Sequence, residues 1–130
     1  MTKEFVPYAL AVKLKELGFK ERVLTFYENI VPKLHHKIIG WDFNTSFTSY
    51  VSRPTYSQAF RWFREKYGLF VSPNVISYED GPYLWFFEIN STVLPFGTDL
   101  GETDDYKTYE EAELECLDKL IEIVTKQQEQ

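Results

Sequence analysis

Two adjacent histidines (His35 and His36), one cysteine (Cys116) and a run of carboxylates at Asp99, Glu102, Asp104 and Asp105 are the residues of this 130-residue chain whose types could support metal or nucleophilic chemistry. Their spacing argues against it each time. Adjacent residues on a strand project from opposite faces, so His35 and His36 do not converge on one ion. Cys116 falls on the apolar stripe of the predicted last helix, where a thiol is a small buried group of low reactivity. The acidic run lacks the D-x-D-x-D-G spacing and the later Glu that build a calcium loop. Glu79 and Asp80 precede Gly81 at a predicted turn, where Asp before Gly is expected for backbone reasons alone. Gly40, Gly81, Gly97 and Gly101 are too scattered for a phosphate loop. The expectation is no catalytic centre, no metal and no cofactor.

One group of residues could bind rather than react. Arg61, Arg64 and Lys66, with Arg53 nearby in sequence, surround Trp62 in the stretch PTYSQAFRWFREKYGLF. At about 100° per residue, Tyr56, Ala59, Phe60, Phe63 and Tyr67 share one helix face, and Trp62 lies more than about 100° from its centre. Phe60 and Phe63 are therefore expected in the core, with Trp62 on a flank. An aromatic beside cations can stack a base or anchor a protein. The plainer reading is a solvated helix face with Trp62 tucked under a neighbour. Tyr8 and Val12 form a second apolar pair, four apart, opposite the core stripe of the first helix.

The elements that must position these residues follow from pattern. A helix is predicted from Pro7 to Leu17, between a Pro suited to the first turn and Gly18 just past the end. Val6, Leu10, Leu14 and Leu17 form its stripe. Residues 22–28 and 36–43 read as strands, with a third short piece at 47–51. A second helix is predicted over Thr55 to Tyr67, stopped by Gly68. LFV, NVISYE and YLWFFEI then read as strands around an EDGP turn. On the last of these, Tyr83, Trp85, Phe87 and Ile89 point one way, and Leu84 and Phe86 the other. Residues 90–107 read mainly as an acidic loop. Thr108 and Glu111 form a capping box, opening a final helix whose stripe is Tyr109, Ala112, Cys116, Leu120, Ile123 and Val124. The order is α-β-β-(β)-α-β-β-α, an α+β fold with an antiparallel sheet and three helices.

Bulk properties narrow the class. The length fits a single domain over 1–130, with an ordered core of about residues 5–125. Apolar residues make up 44% and aromatics 18%, which favours a packed core over disorder. A single Cys excludes an internal disulfide and fits a reducing compartment. No apolar run approaches membrane length, and the first residues interleave charge with apolar groups, unlike a signal peptide. The expectation is a cytoplasmic protein. Residues 1–98 carry net +2 and residues 99–130 net −8, for −6 overall. Such a chain repels phosphate backbones unless its cations gather on one face.

The stretches FVPYALAVKLKELGF, PTYSQAFRWFREKYGLF and TYEEAELECLDKLIEIV resemble a family of small uncharacterised proteins common in Bacteroidetes genomes and their phages or mobile elements. The resemblance covers most of the chain outside residues 24–50 and 88–106. It implies a cytoplasmic, mobile-element-associated protein and brings no activity with it. The second half is also similar in element order to a double-stranded-RNA-binding domain. That family binds phosphate with Lys at the start of its last helix, where this chain has Glu110, Glu111, Glu113 and Glu115.

The function these features favour is a non-enzymatic protein-interaction or accessory protein of a mobile element or phage. Its contact surface is expected at Trp62, Arg61, Arg64, Lys66, Tyr8 and Val12, with a protein partner or self-association. The alternative is a nucleic-acid-associated accessory protein using the basic and aromatic group of the second helix.

Overall fold

A computed structural model describes residues 2–28, 34–41, 50–95 and 98–129, and for 34–41 the backbone alone. Among them are three α-helices and two antiparallel sheets, an α+β architecture. The chain divides into two compact units, Met1–Trp62 and Phe63–Gln130.

The first unit opens with a short 3-10 turn and helix α1 (Tyr8–Glu16). Pro7 caps α1 in an extended conformation, and its carbonyl accepts the Ala11 N–H. Gly18 ends it at φ 97. There the Phe19 N–H reaches back to the Leu14 carbonyl and the Gly18 N–H to that of Lys15, the paired bonds of a Schellman stop. Val6, Leu10, Leu14 and Leu17 are all buried, as their spacing predicts, and Ala11 joins them. The stop also turns Phe19 into the core, where it is almost fully buried.

The described residues of this unit also form three strands: β1 (Val23–Glu28), β2 (Leu34–Trp41) and β3 (Tyr50–Arg53). Their order is β2-β1-β3, so β1 is central. Thr25 pairs with His36 on one side and Arg53 on the other, and the register shifts between Val23 and Thr25 against β2. Strand β2 includes Leu34 and His35 ahead of its predicted start and β3 runs on to Arg53, while residues 42–43 and 47–49 of the predicted strands lie outside the described residues. Strand β3 ends where Pro54 follows it, and the Pro54 carbonyl accepts the Val6 N–H. On α1, Lys15 donates to the Tyr50 carbonyl at 2.7 Å, and burial lowers its pKa.

Helix α2 (Tyr56–Tyr67) spans the division between the units. Thr55 and Gln58 cap it reciprocally: Thr55 N–H donates to Gln58 Oε1, and Gln58 N–H to Thr55 Oγ1. This is a T-x-x-Q capping box, visible in the sequence beside the predicted helix start. Gly68 follows at φ +67, and a Cβ there would stand 2.8 Å from Thr92 Oγ1 and 2.9 Å from Val93 Cγ1. Both the backbone angle and the space demand glycine.

The second unit is a long hairpin, β4 (Leu69–Ser77) and β5 (Tyr83–Ser91), with α3 (Tyr109–Gln128) across one face. Pairing runs unbroken from Leu69↔Ser91 to Ser77↔Tyr83. Phe87 and Ile89 are buried on the α3 side, and Tyr109 receives both Trp85 and Phe87 edge-on at 5.3 and 5.2 Å. Helix α3 starts as predicted, with Thr108 Oγ1 accepting the Glu111 N–H. Its buried stripe is Ala112, Cys116, Leu117, Leu120, Ile121 and Val124, with Ile123 only half-buried. Ile123 thus belongs to the edge of the stripe rather than its centre.

The predicted acidic loop holds a structured strap. Residues Gly101 to Tyr106 run antiparallel beside the outer edge of β5. Ile89 N–H donates to the Gly101 carbonyl, Thr103 N–H to that of Phe87, and Trp85 and Tyr106 exchange both bonds. The Phe87 N–H, which faces the same edge, is met by the Thr103 hydroxyl at 2.9 Å. Thr103 is buried for that reason.

Candidate functional site

Trp62 is 5% exposed and stands edge-on to Phe19, centroids 5.3 Å apart. It is a core residue of the first unit, so of the two readings of the sequence it has the position tucked under a neighbour and cannot serve as the exposed anchor. The buried residues of α2 are Tyr56, Ala59, Trp62 and Phe63, while Phe60 is half-buried. The buried arc is rotated away from Phe60 toward Trp62. A helical wheel weighs every aromatic equally, whereas the position of Phe19 decides which side is covered.

The other expected residues scatter. Arg61, Arg64 and Lys66 are exposed on α2, with Glu65 among them, and Lys66 Nζ lies 5.6 Å from the Tyr67 ring centroid. Tyr8 is half-buried against Tyr27, edge-on at 5.3 Å, and Val12 is half-buried. Arg53 is buried between aromatic rings. No second apolar face of α1 stands open at Tyr8.

The residues weighed for chemistry are equally dispersed. The side chains of His35 and His36 lie outside the described residues; their backbones pair with Phe26 and Thr25 on β1. Cys116 is fully buried, and burial with nearby Glu113 and Glu115 pushes its thiol up to about 12. Asp99 Oδ1 accepts the Gly101 N–H, and Asp105 accepts the Tyr78 hydroxyl at 3.4 Å. Glu102 and Glu88 border an open cavity of about 350 Å³ with Asn90 and Thr98. Among the described residues no three His, Cys, Asp or Glu gather in a way that could hold a metal ion.

Among the described residues the largest group of exposed apolar side chains lies at the far end of the hairpin, while Leu24, Val93, Leu94 and Leu114 are exposed elsewhere. Tyr83 is 71% exposed, Tyr78 54% and Val75 48%. The cause is geometric. Trp85 and Phe87 are covered by Tyr109, the first residue of α3, and the next residue of that face toward the turn is Tyr83. The hairpin therefore overshoots its cover helix. Val75 lies opposite Trp85 and diagonal to Tyr83, close enough for the side chains to share a surface.

The nearby strand edge is open but blunted. Among the described residues β4 pairs with β5 alone. The Thr92 N–H donates to the Gly68 carbonyl, which fixes the alternation and turns the backbone of Pro73, Val75 and Ser77 outward. Pro73 has no N–H to offer there, a common guard against edge-to-edge pairing.

The start of α3 is acidic. Glu110, Glu111, Glu113 and Glu115 open α3, and Glu113 is raised to about 7 by burial and by Glu110. Tyr106 is raised to about 12, chiefly by its hydrogen bond to Glu115. No described helix is long and apolar enough to cross a membrane. Comparisons with protein-family models, with curated proteins and with solved structures gave no match.

Proposed function

We propose that the chain is a non-enzymatic protein-interaction module that meets its partner through the far end of the β4–β5 hairpin. The observation that carries this reading is the exposure of Val75, Tyr78 and Tyr83 beyond the reach of α3. Tyrosines are favoured at contact centres because they bury a large rigid ring and keep a polar tip. Pro73 on the open edge favours docking through side chains over continuous strand pairing. On the wording of its helices, the same reading takes the chain as a cytoplasmic accessory protein of a mobile element or phage.

The nucleic-acid alternative retains the exposed Arg61, Arg64 and Lys66 but loses its stacking ring, because Trp62 is buried. The acidic start of α3 and the net charge of −6 oppose it further.

The test is a comparison of two double variants, Tyr78→Ser with Tyr83→Ser and Arg61→Glu with Arg64→Glu. Both should fold, since all four positions are exposed. A partner or self-association retained by the arginine variant and lost by the tyrosine variant supports the hairpin. The reverse pattern would move the contact to α2.

A further inference from the structure

Arg53 is the least expected residue in the core of the first unit. It is 5% exposed, at the end of β3 and next to Pro54, which is also fully buried. Its guanidinium lies 4.1 Å from the ring centroid of Phe5 and 5.5 Å from that of Tyr27. Its Nε–H donates to the Tyr27 hydroxyl at 3.1 Å, and that hydroxyl donates to the Val6 carbonyl at 3.0 Å. Phe5 thus holds the plane of the group and Tyr27 holds one edge.

A guanidinium carries five N–H donors, and Tyr27 takes one. Among the described residues no oxygen accepts from either Nη, and no carboxylate pairs with the charge. Ring contacts offset part of the cost of burying a cation. They do nothing for the remaining N–H groups, and buried donors without acceptors are rare in native proteins.

We propose that Arg53 is the receptor of a small oxyanion site, whose Nη1/Nη2 edge takes two oxygens of a carboxylate or phosphate group. The planar fork matches that geometry, and its orientation is set before the ligand arrives. With so little of Arg53 open, the ligand is a free anion or the end group of a chain, not an internal segment. Phe5, Val6, Tyr27 and Arg53 all belong to the first unit, and the hairpin belongs to the second.

The test follows the arginine Nε–Hε signals of the ¹⁵N-labelled full chain by NMR. Inorganic phosphate and acetate are titrated separately, with ionic strength held constant by chloride. The Arg53 signal should move saturably, while those of the exposed Arg22, Arg61 and Arg64 should not. Saturation by both anions supports a general oxyanion site; by phosphate alone or acetate alone, it supports the site and assigns the ligand class. Arg53→Lys keeps the charge but lacks the fork, and should bind about tenfold more weakly. Should that variant fail to fold, Tyr27→Phe loosens the guanidinium and should weaken binding a few-fold. A linear Arg53 shift shared with the exposed arginines, or variants that bind as tightly as wild type, would leave Arg53 a clamp between Phe5 and Tyr27 and overturn the proposal.

Discussion

The indole of Trp62 meets the ring of Phe19 at 70°, with centroids 5.3 Å apart. Phe19 is there because the Gly18 stop of α1 turns the chain back over Leu14. A local backbone motif therefore decides the burial of an aromatic more than forty residues away, about which the α2 pattern alone gives the wrong side. Removing a buried aromatic costs about 3–5 kcal/mol. Trp62→Ala should therefore lower stability about as much as Phe63→Ala, measured by urea denaturation. Arg61→Ala, one position earlier and exposed, should stay within about 0.5 kcal/mol of wild type.

Gly68→Ala tests the second helix stop. The new Cβ adds a left-handed backbone penalty of about 1–2 kcal/mol to close contacts with Thr92 and Val93. A clear drop in melting temperature is expected. Gly81→Ala, whose Cβ would meet nothing closer than 3.4 Å, should be much milder.

Glu113 makes stability depend on pH in an unusual sense for a carboxylate. Its folded pKa is raised from 4.5 to about 7 by burial and by Glu110. The folded state therefore holds the proton more tightly than the unfolded state. The stabilisation is fully present below about pH 4.5 and is lost as pH rises through about 7. Glu113→Gln should remove this loss, gaining on the order of 1 kcal/mol at pH 8, because solvent at the half-exposed side chain screens the effect. Chemical denaturation of both proteins at pH 5 and pH 8 measures it; equal pH dependence in the two would count against the assignment.

Cys116 should be inert in the folded protein. Its thiol is fully buried and pushed up to about 12, so little thiolate exists at pH 8. Reaction with a thiol reagent should be slow in buffer and fast in denaturant. Fast labelling in buffer would mean that α3 opens readily.

Much of the fold is legible in the sequence because local chemistry and tertiary burial agree there. The stripe Leu10, Leu14 and Leu17, the capping box at Thr108, and Gly18 and Gly68 as helix stops are each fixed by a few neighbouring residues. The strands are less legible. That β1 lies between β2 and β3 depends on nonlocal pairing that alternation does not encode. The strap at Gly101 to Tyr106 is hidden by its acidic composition, since its contribution is backbone bonding and the single hydroxyl of Thr103. Arg53 reads as a surface residue from its charge alone. The hairpin surface escapes for a different reason: alternation identifies the face of Tyr83 and Trp85, but only the point where α3 begins decides which of them is covered.

The most direct test of the hairpin surface is photo-cross-linking in cells that express the protein. A benzophenone amino acid is placed at Tyr83, and in separate variants at Arg61 and at Lys20, an exposed control. A discrete adduct is expected from position 83 and absent from positions 61 and 20, with the melting temperature unchanged in all three. A discrete adduct from position 61 with none from position 83 would contradict it.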